Sequence, residues 1–126
     1  MASDRPAEGR CILVVEDEMT IVTMIEDTLS EIGADIVGPC ARLDAALRLA
    51  REARIDAAVL DLNIRGGNSY PVADILAERG VPFVFCSGYS DWSFEERYRD
   101  RPRLTKPYAP RDLETKLLGL LGIEPK

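Results

Sequence analysis

Short apolar runs alternate with segments in which apolar residues recur every three or four positions, and this alternation persists along the chain. Cys11–Val15 is a continuous apolar run and predicts a buried strand. Glu18–Ile32 follows with Ile21, Met24, Ile25, Thr28, Leu29 and Ile32 on one stripe, which predicts a helix stopped by Gly33. Asp35–Gly38 predicts a short strand. Leu43–Ala53 predicts a helix with Leu43, Ala46, Leu47 and Ala50 inward, and Ala57–Leu60 a third strand. Beyond Gly66-Gly67, Pro71–Arg79 predicts a short helix closed by Gly80, and 81–86 (VPFVFC) a fourth buried strand. Arg103–Thr105 predicts a small fifth strand, and Pro110–Leu121 a last helix with Leu113, Leu117 and Leu120/Leu121 inward and Pro110 at its tolerant N-terminus.

The stretch 88–101 (GYSDWSFEERYRDR) fits neither period cleanly. Phe94 and Tyr98 are four apart and would share a helix face. The charge and the opening Gly and Ser predict a short or frayed fourth helix. Five strands alternating with five helices predict a doubly wound α/β domain with a parallel sheet. In such folds ligands bind where the strands end in their carboxyl termini.

Composition narrows the choice of chemistry. The 126 residues suit one domain, and 46% hydrophobic with 30% charged is an ordinary globular balance. A net charge of −6 argues against nucleic acid as a partner. No apolar run approaches a membrane span, and the opening MASDRPAEGR lacks a signal-peptide core, so no membrane partner and a cytoplasmic location are expected. Cys11, Cys40 and Cys86 are scattered and odd in number, which predicts three reduced, structural thiols. With no histidine, the chain has no Ser-His or Cys-His nucleophile and no ordinary zinc site.

Against this background two strands end strangely. The first runs into Glu16, Asp17 and Glu18; the third runs into Asp61, with Asn63 two residues on. In isolation each has a plain explanation: a helix N-terminus favours acids, and Asp and Asn favour turns. Both strand ends, however, reach one crevice of the predicted fold. Like charges about 4 Å apart repel by roughly 4 kcal/mol at an effective dielectric near 20. A hard divalent cation offsets this, and oxygen ligands favour Mg²⁺, with the Asn63 backbone carbonyl as a further donor. The fourth strand brings the Ser87 hydroxyl to the same edge and the fifth brings Lys106. A carboxylate flanked by a metal, a hydroxyl and an ammonium has the parts for phosphoryl transfer, with Asp61 as nucleophile.

The pieces VVEDE, LDLN, CSG and TKP, in this order and on these elements, resemble the receiver domain of two-component response regulators, from about Arg10 to Leu121. The resemblance implies a flavodoxin-like receiver fold with strand order 2-1-3-4-5. It also implies a receiver domain over 10–122, with short tails at 1–9 and 123–126. It makes Asp61 the phosphoacceptor, Asp17 a direct Mg²⁺ ligand, Glu16 an indirect one, and the Asn63 carbonyl a metal ligand. Ser87 and Lys106 would hold the phosphoryl group, beside a cis Lys106–Pro107 bond. The partner would be a histidine kinase, and the output a downstream protein target or a phosphotransfer protein, with no turnover of its own. Phe85-Cys86-Ser87-Gly88-Tyr89 is similar to the signature of the FATGUY subfamily, with Cys86 for Ala and Ser87 for Thr. Members of that group are often single-domain regulators served by HWE/HisKA2 kinases.

Two other readings compete. A phosphatase of the haloacid-dehalogenase type needs a second Asp two residues after the nucleophile, where this chain has Asn63. A receiver-like interaction module that is never phosphorylated has no need of the intact acid pair, Asp61 and Lys106. One departure from many receivers stands out. The position three residues before the lysine, often Tyr or Phe, is Arg103. A guanidinium is a poor occupant of the apolar slot a ring would fill. The switch is therefore expected to run from Ser87 into residues 88–101. Trp92, Phe94 and Tyr98 are expected to pack locally, and Arg97, Arg99, Arg101 and Arg103 to be either solvated surface or a partner contact.

Overall fold

The computed structural model describes residues 5–88 and 95–123. The elements in chain order are β1 (Cys11–Val15), α1 (Met19–Ile32), β2 (Asp35–Cys40), α2 (Leu43–Glu52), β3 (Ala57–Asp61), β4 (Asn63–Ile64), β5 (Gly67–Asn68), α3 (Tyr70–Glu78), β6 (Phe83–Ser87), a 3₁₀ turn (Glu96–Tyr98), β7 (Arg103–Thr105) and α4 (Pro110–Leu120). Five strands pair in parallel in the order β2-β1-β3-β6-β7, and β4 and β5 form a separate antiparallel hairpin.

Strand alternation sorts the core into two layers. Leu13, Val15, Ala58, Leu60, Phe83 and Phe85 face α2 and α3. Ile12, Val14, Ala57, Val59, Val84 and Cys86 face the α1 and α4 side. Every residue of β3 and of β6 is buried, because helices cover both faces of a parallel sheet. On α1, Val22, Ile25, Thr28, Leu29 and Ile32 are buried, and Gly33 closes the helix at φ 83°, a left-handed conformation that suits glycine. Val22 thus joins the expected stripe, while Ile21 and Met24 lie at its partly buried margin. Residues 5–9 belong to this packing: Ala7 is buried and its N–H donates to the Ile32 carbonyl at 2.9 Å.

Three expectations need correction. Among the described residues there are four α-helices, not five; the only helical piece between β6 and β7 is the 3₁₀ turn Glu96–Tyr98. Its neighbours Tyr89, Trp92 and Phe94 lie outside the described residues. The order 2-1-3-4-5 counted five strands and missed the hairpin, which places two further strands between the third and fourth of the sheet. Strands of two residues carry no period to read. The hairpin turns through Gly66 at φ 99°, where a Cβ would come within 3.2 Å of Leu43 Cβ. Finally, β2 continues past Gly38 to Cys40 with a register irregularity opposite Leu13–Val15, and β6 starts at Phe83 rather than at Val81.

Leu13 is wholly buried, so Leu13→Ala should destabilise the domain by about 2–5 kcal/mol in urea unfolding. Met19 is 71% exposed, and Met19→Ala should stay within about 0.5 kcal/mol. Equal losses for both would contradict the two-layer core.

Candidate functional site

Register brings the chemistry together. Val15 pairs with Leu60, so Glu16 and Asp61 leave adjacent strands at the same level. Asp61 pairs with Cys86, and Ser87 with Thr105, so Ser87 and Lys106 emerge beside it. The Lys106 N–H donates to the Ser87 carbonyl at 2.7 Å, which fixes the lysine backbone at the end of β6. The Lys106–Pro107 peptide is cis, as the family resemblance implied; Gly38–Pro39 is cis as well.

The Lys106 ammonium lies 3.1 Å from Glu16 Oε1 and 3.2 Å from Asp61 Oδ2. Glu16 and Asp61 are only 2% and 6% exposed, so this pairing is largely shielded from water. The second oxygens are held by backbone. The Glu18 N–H donates to Glu16 Oε2 at 3.1 Å, and the Asn63 N–H to Asp61 Oδ1 at 3.3 Å. Asp17 completes the group from a half-buried position. Glu16, Asp17 and Asp61 each offer a carboxylate oxygen, all within 4.8 Å of one another. Three carboxylates and one ammonium leave two negative charges surrounded by oxygen donors, which fits a hard divalent cation such as Mg²⁺.

The electrostatics follow from burial. Burial and the Glu16 charge push the Asp61 carboxyl up to about 7, and Lys106 opposes them only in part. Burial works to lower the Lys106 ammonium, but the Asp61 and Glu16 carboxylates outweigh it and the balance is upward. The Cys86 thiol, pushed by burial up to about 12, donates to the Tyr108 hydroxyl at 3.8 Å. Both buried thiols, Cys40 and Cys86, are free, as is the partly exposed Cys11.

The structure therefore brings Glu16, Asp17, Asp61, Asn63, Ser87 and Lys106 to one strand-end crevice. Ser87 is the last residue of β6 and buried; Asn63 is exposed at the start of the hairpin. Two features escaped the sequence reading. Tyr108 lines a groove of about 400 Å³ with Lys106, Pro107, Glu18, Ile21 and Met24. Tyr70, Phe85 and Tyr98 form an aromatic cluster on the Ser87 side of the sheet. Tyr70 opens a helix that was read as starting at Pro71, so no period pointed to its ring.

The response regulator receiver domain family matches residues 12–118. SdrG from Sphingomonas melonis Fr1 is 45% identical, with a TM-score of 0.78 over 89% of this chain and 96% of that one. SdrG in its BeF3-activated conformation, from Pseudomonas melonis Fr1, is 46% identical, with a TM-score of 0.73 over 88% and 95%. The transcriptional regulatory protein PdtaR of Mycobacterium tuberculosis is 30% identical over 85% of this chain and 54% of its own length. The chain spans about half the length of the curated relatives it matches. The receiver domain of the sensor histidine kinase PA1611 from Pseudomonas aeruginosa PAO1, which holds a magnesium ion in its cleft, shares the fold at 24% identity. Its TM-score is 0.74 over 90% of this chain and 98% of that one. Among the described residues, no helix is long and apolar enough to cross a membrane.

The raised Asp61 carboxyl has a measurable consequence. In metal-free protein the folded chain keeps a proton on Asp61 up to about pH 7, whereas the unfolded chain loses it near the ordinary value of 3.8. Between those values the folded state binds more protons, so this group's contribution to stability falls as pH rises. Urea midpoints with a chelator present should fall from pH 5 to pH 7.5, and Asp61→Asn should flatten that slope and raise stability at pH 7.5. A slope unchanged by the substitution would place the proton elsewhere.

Proposed function

The chain belongs to the response regulator receiver domain family, and on that premise we propose that it is a phosphorylation switch in which Asp61 accepts a phosphoryl group from a histidine kinase phosphohistidine. The observation that carries this reading is the position of Asp61, held between the Lys106 ammonium and the acidic pair Glu16 and Asp17 at the ends of three parallel strands. An Asp61 oxygen attacks phosphorus in line with the departing imidazole nitrogen. A P–O bond forms as the P–N bond breaks, and the imidazole leaves with its proton. Bound Mg²⁺ would supply charge neutralisation for the phosphoryl oxygens. Asp17 and Asp61 would hold it directly, Glu16 through water, and Asn63 through its backbone carbonyl.

The chain's own groups do the rest. Lys106 moves from pairing two carboxylates to pairing the incoming phosphoryl group, so its charge is present before the substrate arrives and costs little reorganisation. Ser87, buried at the strand end beside Asp61, donates a hydrogen bond to the same group. The Asn63 N–H orients the nucleophile by holding one Asp61 oxygen.

The output is a change in protein contacts around β6 and β7, offered to a downstream protein or a phosphotransfer protein, and the chain itself turns nothing over. The FATGUY-like run Phe85-Cys86-Ser87-Gly88-Tyr89 supports a place in that subfamily, with an HWE/HisKA2 kinase as donor and a cytoplasmic setting as parts of the same reading.

Incubated with acetyl phosphate and Mg²⁺, the protein should take up one acid-labile phosphate, and Asp61→Asn should reduce uptake to background. Undiminished uptake in the variant would sink the reading. Asp17→Asn should weaken Mg²⁺ binding at least about tenfold while the domain stays folded, because one anionic ligand is lost from a mutually repelling group. Normal Mg²⁺ affinity by titration in that variant would put the cation at another site.

A further inference from the structure

Residues 95–98 lie between β6 and β7 in the chain and are fastened to α3 through two of its side chains, Tyr70 and Asp74, of which Asp74 takes the charged contacts. Asp74 receives the Arg97 guanidinium as a fork, Nε on Oδ1 at 3.1 Å and Nη2 on Oδ2 at 3.1 Å. The Tyr98 hydroxyl donates to the same Oδ1. Arg97 also lies over the Tyr98 ring at 4.9 Å and the Tyr70 ring at 5.7 Å, and Glu95 pairs with its Nη1. The Glu95 N–H donates to the Tyr70 hydroxyl at 2.9 Å. Asp74 itself is exposed, so the fold does not need a carboxylate there for its core.

This fastening reaches the phosphoryl-sensing end of the sheet. The Tyr98 ring is buried, stacked on Tyr70 at 5.7 Å and edge-on to Phe85 at 5.5 Å. Phe85 precedes Ser87 by two residues, so the two share a face of β6. Arg103 pairs with Phe85 across the sheet, but its Nη2 turns back to the Arg99 carbonyl at 2.9 Å. Tyr98 thus supplies one of the rings packed on Phe85, alongside Tyr70 and Phe83, and its hydroxyl end is tied to α3.

We propose that Asp74 is a positioning residue: with Arg97 and Tyr98 it forms a latch that holds residues 95–98 on α3 in the resting state and so opposes the movement of the Ser87 end of β6 toward a phosphoryl group. The inference rests on the reading of Asp61 as phosphoacceptor. A contact present only in the resting state biases the two-state equilibrium by its own strength, and releasing it strengthens any ligand that prefers the other state by the same factor.

The test uses the full chain, beryllium fluoride as phosphoryl mimic with saturating Mg²⁺, and amide hydrogen exchange. Asp74→Ala should speed exchange of the Glu95 and Tyr98 amides in the unliganded protein and tighten beryllofluoride binding about two- to tenfold. Tyr98→Phe keeps the ring and loses only the hydroxyl arm, so it should tighten binding by a smaller factor. Asp74→Glu, which can still receive the fork, should bind as the unsubstituted protein does. Asp44→Ala, an exposed acid removed elsewhere, should leave binding unchanged, which separates the latch from a general relief of negative charge. Tighter binding together with a lower melting temperature in Asp74→Ala supports the latch, since lost packing alone would lower stability without improving affinity. Unchanged or weaker binding in Asp74→Ala overturns it. If the unsubstituted protein does not bind beryllofluoride at all, the Asp61 reading falls first and the latch with it.

Discussion

Lys106 spans Glu16 and Asp61, and the arrangement of the whole crevice depends on that one ammonium. Two nearly buried carboxylates on neighbouring strands would repel by several kcal/mol if both were ionised and unpaired. The lysine removes much of that cost by lying within 3.2 Å of each acid. It can do so because β7 pairs in parallel with β6, and the Lys106 backbone is hydrogen-bonded to Ser87. The neutralisation is incomplete, as the raised Asp61 carboxyl and the third acid, Asp17, make plain. That residual charge suits the crevice to a cation, while the shared lysine offsets part of the repulsion between Glu16 and Asp61.

The same sheet divides the labour between its faces. Alternation puts Asp61 and Cys86 with Ala57, Val59 and Val84, on the α1 and α4 side. Phe83 and Phe85 lie on the opposite side with α2, α3 and Tyr98, and Ser87 continues their series. The Asp61 carboxylate and the Ser87 hydroxyl thus belong to different layers of the core. Under the proposed switch, a movement of Ser87 toward Asp61 would draw on the packing of the aromatic layer.

The strands were legible because a parallel sheet covered on both faces needs unbroken apolar runs, and acids at the ends of two such runs had nowhere to point but the crevice. The six residues named for the site do meet there. What could not be read was any relation that depends on register rather than on spacing. The Lys106–Glu16 contact joins positions 90 residues apart, and nothing in either local sequence announces it. The starts of α1 and α3 moved by one residue, where Glu18 and Ser69 precede the helix without the side-chain hydrogen bond that would mark its start. The hairpin at Asn63–Asn68 was invisible for a different reason, because its form comes from Gly66 fitting against Leu43 and not from any run of strand formers.

Four arginines between 97 and 103 read as either solvated surface or a partner contact, and Arg97, Arg99 and Arg101 are exposed; Arg97 nonetheless lies over two tyrosine rings and Arg101 over the Phe83 ring at 4.9 Å. Guanidinium groups keep hydration on their rims while their faces cover aromatic carbon, so a charged sequence can still close a core. Arg103 has the same consequence in reverse. A charge stands where many receivers carry a ring, and it turns outward to the Arg99 carbonyl while Tyr98, five residues earlier, occupies the space beside Phe85. A ring that comes from β7 can rotate about its own strand. A ring that comes from the connection before β7 moves only if that connection moves. In this chain residues 95–98 and the aromatic layer share Tyr98, so under the proposed latch a displacement at Phe85 and Ser87 would be resisted by the contacts that Tyr98 and Arg97 make with α3.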